Sequence, residues 1–231
     1  MLSALPLRQR LSPADLVLPA DAFTNSYVLC WTLASLYAHA SLAINSVAGP
    51  GVDLALASRS VSPTVVIASS ETLANMHAAE TRSISSGLQK IAHVSKAQTM
   101  SAGRMPTDNL LFKLLAPSGN AAGSSPGVLR LILAAERART GSPALSSTTL
   151  SDLRIITRAR ICYALTAAQV AGAIAQTNIY DYRRDERPGH SHFGAPLSSV
   201  EIKLVDKEDD KVDGSTPTGE VSKQTFFDVS I

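Results

Sequence analysis

The chain has 231 residues, 45% of them hydrophobic, enough to bury the core of one or two globular domains. Its formal net charge is +2, with both signs spread along the sequence, so no concentrated basic face exists to grip a phosphate backbone and nucleic acid is excluded as an expected partner. Cys30 and Cys162 sit in separate apolar segments without metal-ligand spacing and read as reduced core thiols, which implies an intracellular compartment.

Met1 to Arg10 is mildly basic, but Ser12-Pro13-Ala14-Asp15 follows where a secretory signal would turn apolar. Val28 to Ala48 carries no formal charge and approaches membrane-spanning length. It holds His39, Asn45 and three serines, and it stops at Gly49-Pro50-Gly51 without a basic flank, so a buried helix leading into a strand is favoured over membrane association. The helix is expected over Tyr27 to Ala38 and the strand over Ser41 to Val47, followed by a short helix over Val52 to Ser58. Pro63-Thr64-Val65-Val66-Ile67-Ala68 is β-branched without alternation, the pattern of a strand covered on both faces, and Ser69-Ser70-Glu71 supplies a cap for the next helix. Thr81 to Met100 is polar and helical in pattern, and Thr107-Asp108 can cap a further helix through Leu115.

The composition then changes. Ser118 to Gly127 cannot bury enough apolar surface to offset its ordering entropy and reads as a flexible surface loop. Beyond it the rhythm resumes, with a strand over Val128 to Leu133, a helix over Pro143 to Thr157 and a strand over Arg160 to Tyr163. Ser199 to Val205 alternates polar with apolar, as a strand with one wet face does, and lies outside the parallel core. Asp206 to Gly214 reads as a hairpin-type loop before Gly219-Glu220-Val221. The expected class is α/β, parallel sheet flanked by helices plus a small antiparallel portion, organised as residues 1–117, a loop at 118–127, and residues 128–231.

Several tempting motifs dissolve on inspection. The Gly/Ser loop at 118–127 has no lysine and leads into a strand, whereas a phosphate loop leads into a helix. His190-Ser191-His192 offers a metal only two ligands, and Asp206-Lys207-Glu208-Asp209-Asp210 lacks calcium-loop spacing and interposes a lysine. Cys162 stands mid-strand without a base, a core thiol in place of a nucleophile.

An ordered constellation remains: Leu129-Arg130-Leu131-Ile132-Leu133, Ser142-Pro143-Ala144-Leu145, Tyr163-Ala164-Leu165-Thr166, Gly194-Ala195-Pro196-Leu197, Glu201-Ile202-Lys203-Leu204-Val205-Asp206 and Gly219-Glu220-Val221. Upstream, Leu18-Pro19, Leu36-Tyr37-Ala38-His39-Ala40-Ser41-Leu42 and Pro63 to Ala68 join it. This succession resembles the adenylate-forming superfamily, particularly the long-chain acyl-CoA synthetases, and covers nearly the whole chain. The resemblance implies an incomplete N-terminal domain of such an enzyme, truncated at both ends. It also implies ATP or AMP with magnesium as cofactors, coenzyme A as co-substrate and a fatty-acyl substrate. In that family an L-R-L-I-L strand enters a small-residue turn flanking adenine, and a Y-G-x-T-E segment places tyrosine on the adenine and threonine and glutamate near the phosphates and magnesium.

Carried onto this sequence, the resemblance makes Tyr163, Ala164, Leu165 and Thr166 nucleotide-contacting, Tyr163 by stacking and Thr166 by its hydroxyl as the candidate catalytic residue. The turn corresponds to Ala134-Ala135-Glu136-Arg137; the pair Glu136 and Arg137 either crowds an adenine pocket or contacts ribose and phosphates, and both outcomes stay open. The alternative for Tyr163 and Thr166 is that they simply end a buried strand. The glycine of the segment is Ala164, and its glutamate is Ala167, whose methyl group cannot ligate magnesium. The histidine common after Leu-Pro is absent from Ala22 and Phe23. The family's lysine-bearing phosphate loop is expected before Leu11, and its ribose-binding aspartate and catalytic-lysine subdomain after Ile231. The implied function is an acyl-CoA synthetase-like fragment, an acid-thiol ligase by resemblance, catalytically impaired alone. The alternative is a non-catalytic interaction or membrane-associated protein on the same fold.

Overall fold

The unalternating run at Val65 to Ala68 forms the middle of a sheet whose two faces are both covered, which is why no position in it is polar. The computed structural model describes residues 2–58, 61–83, 87–106, 128–183, 189, 191–206, 212–213, 217 and 220–224. The helix expected through Leu115 and the loop at 118–127 lie outside them. Among the described residues, β1 (Leu16–Pro19), β2 (Ser41–Leu42), β3 (Val65–Ser69), β4 (Leu131–Arg137), β5 (Arg160–Thr166), β6 (Ala175–Gln176) and β7 (Ala195–Pro196) form one sheet in the order β2-β1-β3-β4-β5-β6-β7. The first five strands in that order run parallel, and β6 and β7 continue the sheet antiparallel. Strands from either side of residues 118–127 pair directly, Val65 opposite Leu131. The expected neighbours, the strands after residue 128 and after residue 160, also pair in register, Leu131 opposite Arg160.

The period of two in a strand sorts these residues into two cores. Val66, Ala68, Ile132, Ala134, Ile161 and Tyr163 face one side, against α3 (Ser70–Ser83) and, through Leu150 and Leu153, α5 (Ser147–Thr157). Val65, Ile67, Leu131, Leu133, Cys162 and Ala164 face the other, against Tyr27, Val28 and Trp31 of α1 (Ser26–Tyr37). The short α2 (Leu54–Ser58) joins the first side through Leu54, and α4 (Gly87–Ser101) packs on α5. The strand β8 (Glu201–Val205) stays out of this sheet and pairs antiparallel with β9 (Glu220–Gln224), matching its alternating pattern.

Where the elements depart from expectation, local hydrogen bonds explain it. The strand at β2 stops at Leu42 because Asn45 accepts from the Val47 amide and donates to the Ala57 carbonyl, turning the chain off the sheet edge. The stretch Ala134-Ala135-Glu136-Arg137, expected as a turn, continues β4: its small residues fit between β3 and β5, and the turn follows at Arg139 and Gly141, both at positive φ. The helix expected from Pro143 begins at Ser147, where the Ser146 hydroxyl accepts from the Thr149 amide at 3.0 Å. At α3 the expected cap is Ser69, whose hydroxyl accepts from the Thr72 amide at 3.2 Å. The uncharged segment from Val28 holds most of the twelve-residue α1, with Leu33, Leu36 and Tyr37 exposed, and among the described residues no helix is long and apolar enough to cross a membrane.

At the amino ends of β1, β3 and β4 a single buried carboxylate ties the strands together. Asp15 accepts from Arg130 Nε and Nη2, both at 2.7 Å, from the Thr64 hydroxyl at 2.9 Å and from the Ser12 amide at 2.9 Å. Burial alone would raise this carboxyl, but the hydrogen bonds from Arg130, Ser12 and Thr64 outweigh it and hold its pKa below the ordinary value.

Candidate functional site

In parallel α/β sheets ligands gather beyond the carboxyl ends of the strands, because the loops there are free to vary while the sheet holds them rigidly. At that end of this sheet β4 and β5 finish side by side, with Glu136 opposite Leu165 and Arg137 opposite Thr166. The sequence-predicted residues are therefore brought together, but not all of them in the roles expected.

Thr166 is buried, and its hydroxyl donates to the Glu136 carbonyl at 3.0 Å, locking the two strand ends. Its own carbonyl accepts from the Ala138 amide at 2.8 Å, where the chain leaves β4. Ala164 is fully buried toward α1 and offers a ligand no surface, whereas Leu165 is half-buried. Glu136 and Arg137 are both half-buried at the strand end.

Tyr163 is fully buried. Its backbone is pinned by Thr177, whose hydroxyl accepts from the Tyr163 amide at 2.8 Å and whose amide donates to the Tyr163 carbonyl at 2.9 Å. Its hydroxyl donates to the Glu136 carboxylate and accepts from the Leu145 amide at 3.0 Å. Burial first, and the Glu136 carboxylate second, push this phenol far above its usual range, so it stays protonated and acts as a donor. Its ring is stacked on Phe193, centroids 4.8 Å apart and planes 27° from parallel.

Phe193 and Thr177 are contributors that sequence reasoning missed, and Leu145, named there only within the Ser142 to Leu145 segment, contributes through its amide. The signal for Phe193 was present: it is a lone aromatic between the polar Ser191-His192 and the turn at Gly194. Gly194 is needed where it is. Its φ is +74°, and a Cβ there would lie 2.7 Å from the Gln176 carbonyl oxygen, so the chain can pass β6 this closely only without a side chain. Of the His-Ser-His segment, His190 lies outside the described residues, Ser191 donates to the Leu145 carbonyl at 2.7 Å, and His192 sits 3.7 Å from Asp181. Cys162 is buried in the sheet, and burial pushes its thiol up to about 12, which leaves it inert. A separate cavity of about 510 Å³ opens beside β6 and β7, lined among others by Gln176, Asn178, Asp181 and Arg183; none of the expected site residues borders it.

The donor set does not suit magnesium. Position 167 presents a methyl group where the family pattern has a carboxylate, and one oxygen of the Glu136 carboxylate is engaged by the Tyr163 hydroxyl. No chemical step through a metal is therefore derived for these residues.

No protein-family model matches the sequence, and no curated protein matches it. Among solved structures the fold has clear counterparts. The O-succinylbenzoate coenzyme A synthetase of Bacillus subtilis, solved in complex with ATP and magnesium ion, superposes with a TM-score of 0.54 at 14% identity, over 95% of this chain and 34% of that one. A benzoate CoA ligase of Burkholderia xenovorans gives 0.50 at 16% identity, over 91% and 32%. The anthranilate CoA ligase AuaEII, in complex with anthranoyl-AMP, gives 0.51 at 15% identity, over 85% and 28%. The chain thus spans about a third of the length of these ligases. Over that span it has the α/β fold of the N-terminal domain of adenylate-forming enzymes, a mixed, largely parallel sheet flanked by helices.

Proposed function

We propose that the chain is an AMP-binding, acyl-CoA synthetase-like protein in which the nucleotide site is built on the carboxyl ends of β4 and β5 and adenylation is impaired. The observation that carries this reading is the pairing of Glu136 with Leu165 and of Arg137 with Thr166 at adjacent parallel strand ends, in a fold otherwise seen in CoA ligases. Arg137 is the group that faces phosphate in this proposal, the Thr166 hydroxyl joins it only by turning its proton from the Glu136 carbonyl to the phosphate, and Tyr163 is the ring against which the base stacks. The parent reaction joins a carboxylate to AMP and passes the acyl group to coenzyme A; a fatty acid is the substrate class that the long-chain resemblance implies. Such chemistry depends on neutralising the triphosphate as charge develops, and Ala167 withdraws a hard oxygen donor from that task.

Ala167→Glu tests the site. The carboxylate should raise affinity for Mg-ATP about tenfold over the unchanged chain, and ATP without magnesium should show no such gain. The unchanged chain should show ATP–pyrophosphate exchange with fatty acids no greater than Tyr163→Ala. Calorimetric titration and the exchange assay check both, and equal Mg-ATP affinities in the two forms would remove Thr166 and its neighbours as a nucleotide site.

A further inference from the structure

We infer that Phe193 occupies the stacking position on Tyr163 and thereby holds an incoming aromatic base out of the site, so that binding requires Phe193 to be displaced. The inference rests on the nucleotide reading proposed above and identifies the residue that controls access to it.

Tyr163 is fully buried: one side of its environment is the core shared with Ile161, Ala134 and Leu153, and the stacked partner is Phe193. A centroid separation of 4.8 Å at 27° is the arrangement that a purine on the same tyrosine would adopt, so the two aromatic groups compete for one volume. The tyrosine cannot swing aside to make room, because its hydroxyl is held by both the Leu145 amide and the Glu136 carboxylate, and its backbone by Thr177.

Phe193, by contrast, is held through its neighbours. Ser191 donates to the Leu145 carbonyl at 2.7 Å, so the segment bearing Phe193 is fastened to the same residue whose amide fixes Tyr163. On the other side Gly194 is pressed against the Gln176 carbonyl. Phe193 itself packs against the edge of the core and is only half-buried, and displacement of its ring toward solvent between these two fixed points would open the slot. Each nucleotide bound must shift that equilibrium, and the observed affinity falls by the fraction of molecules in which the slot is open.

The experiment is titration of adenine, AMP and ATP, without metal, into the full chain, Phe193→Ala, Phe193→Leu and Phe193→Ala/Tyr163→Ala. The full chain is also prepared with 4-fluorophenylalanine at 193 for fluorine NMR. Phe193→Ala should bind AMP at least about tenfold more tightly than the unchanged chain, and the double variant should lose the gain. Phe193→Leu, which keeps apolar bulk without a stackable ring, should show a smaller gain and covers the case in which the alanine variant does not fold. In the unchanged chain, millimolar AMP should move the fluorine resonance. Nucleotide binding of equal strength in the unchanged chain and both single variants, with an unmoved fluorine signal, would overturn the role of Phe193 while leaving the nucleotide site standing. Adenine binding to Phe193→Ala as tightly as AMP would support the slot but remove the phosphate contacts assigned to Thr166 and Arg137. Absence of binding by any ligand to any variant would overturn the inference.

Discussion

Asp15→Ala should lower the unfolding free energy by about 3 kcal/mol, measured as a fall in the urea midpoint at neutral pH. The carboxylate is the one group that accepts from Arg130, Thr64 and Ser12 together, and these residues flank β4, β3 and β1 at their amino ends. Removing it leaves the guanidinium of Arg130, only 27% exposed, without its counter-charge, and that loss of compensation is the larger part of the cost. The same pair sets an acid limit. Because the folded-state pKa of Asp15 is depressed, the unfolded chain takes up the proton first as pH falls. The contribution is complete above about pH 5 and is lost as the pH drops through the unfolded value near 3.9 toward the lower folded value. Asp15→Asn should flatten the stability profile across that window, and an unchanged profile would show that the ion pair is not what acid breaks.

Gly194→Ala should cost about 2–4 kcal/mol, from two separable causes. A side chain at φ +74° is strained by itself, and the new Cβ would stand 2.7 Å from the Gln176 carbonyl oxygen and 2.9 Å from the Thr177 Cα, which belong to backbone that cannot yield cheaply. Gly141→Ala separates them. Gly141 has φ +70° with nothing within 4 Å of the added atom, so its cost of about 1 kcal/mol reports the conformational part alone. Equal midpoints for the two variants in chemical denaturation would refute the close approach of β7 to β6. A larger loss at Gly194 should come with loosened stacking of Phe193, visible as changed near-ultraviolet dichroism.

The parallel core was legible because burial on both faces leaves a signature that needs no partner to be recognised, as in Val65-Val66-Ile67-Ala68 and Arg160-Ile161-Cys162-Tyr163. Segments defined by a distant partner were not. The two residues of β6 carry no strand pattern of their own and are recruited by the Tyr163 backbone, and Glu136 reads as a turn residue until the ladder with β5 is seen. Asp15 and Arg130 lie 115 positions apart, and nothing in either neighbourhood announces the other. The expectation that the strands after residue 128 and after residue 160 are neighbours is met, since β4 and β5 pair in register. The burial of Tyr163 and Thr166 matches the alternative that they end a buried strand; the stacking of Phe193 on Tyr163 was not foreseen, because that ring comes from thirty residues further along the chain.

The nucleotide site proposed at the carboxyl ends of β4 and β5 lies in a fold shared with CoA ligases. Its most direct test is a proton–nitrogen NMR titration of the isotopically labelled chain with Mg-ATP up to millimolar concentration, which detects weak binding and locates it at once. If nucleotide binds there, the amides of Glu136, Arg137, Ala164, Leu165, Thr166 and Ala167 shift together with that of Phe193, following a single saturation curve. Unmoved resonances at these positions, or shifts confined to the separate cavity beside Asp181 and Arg183, would contradict it.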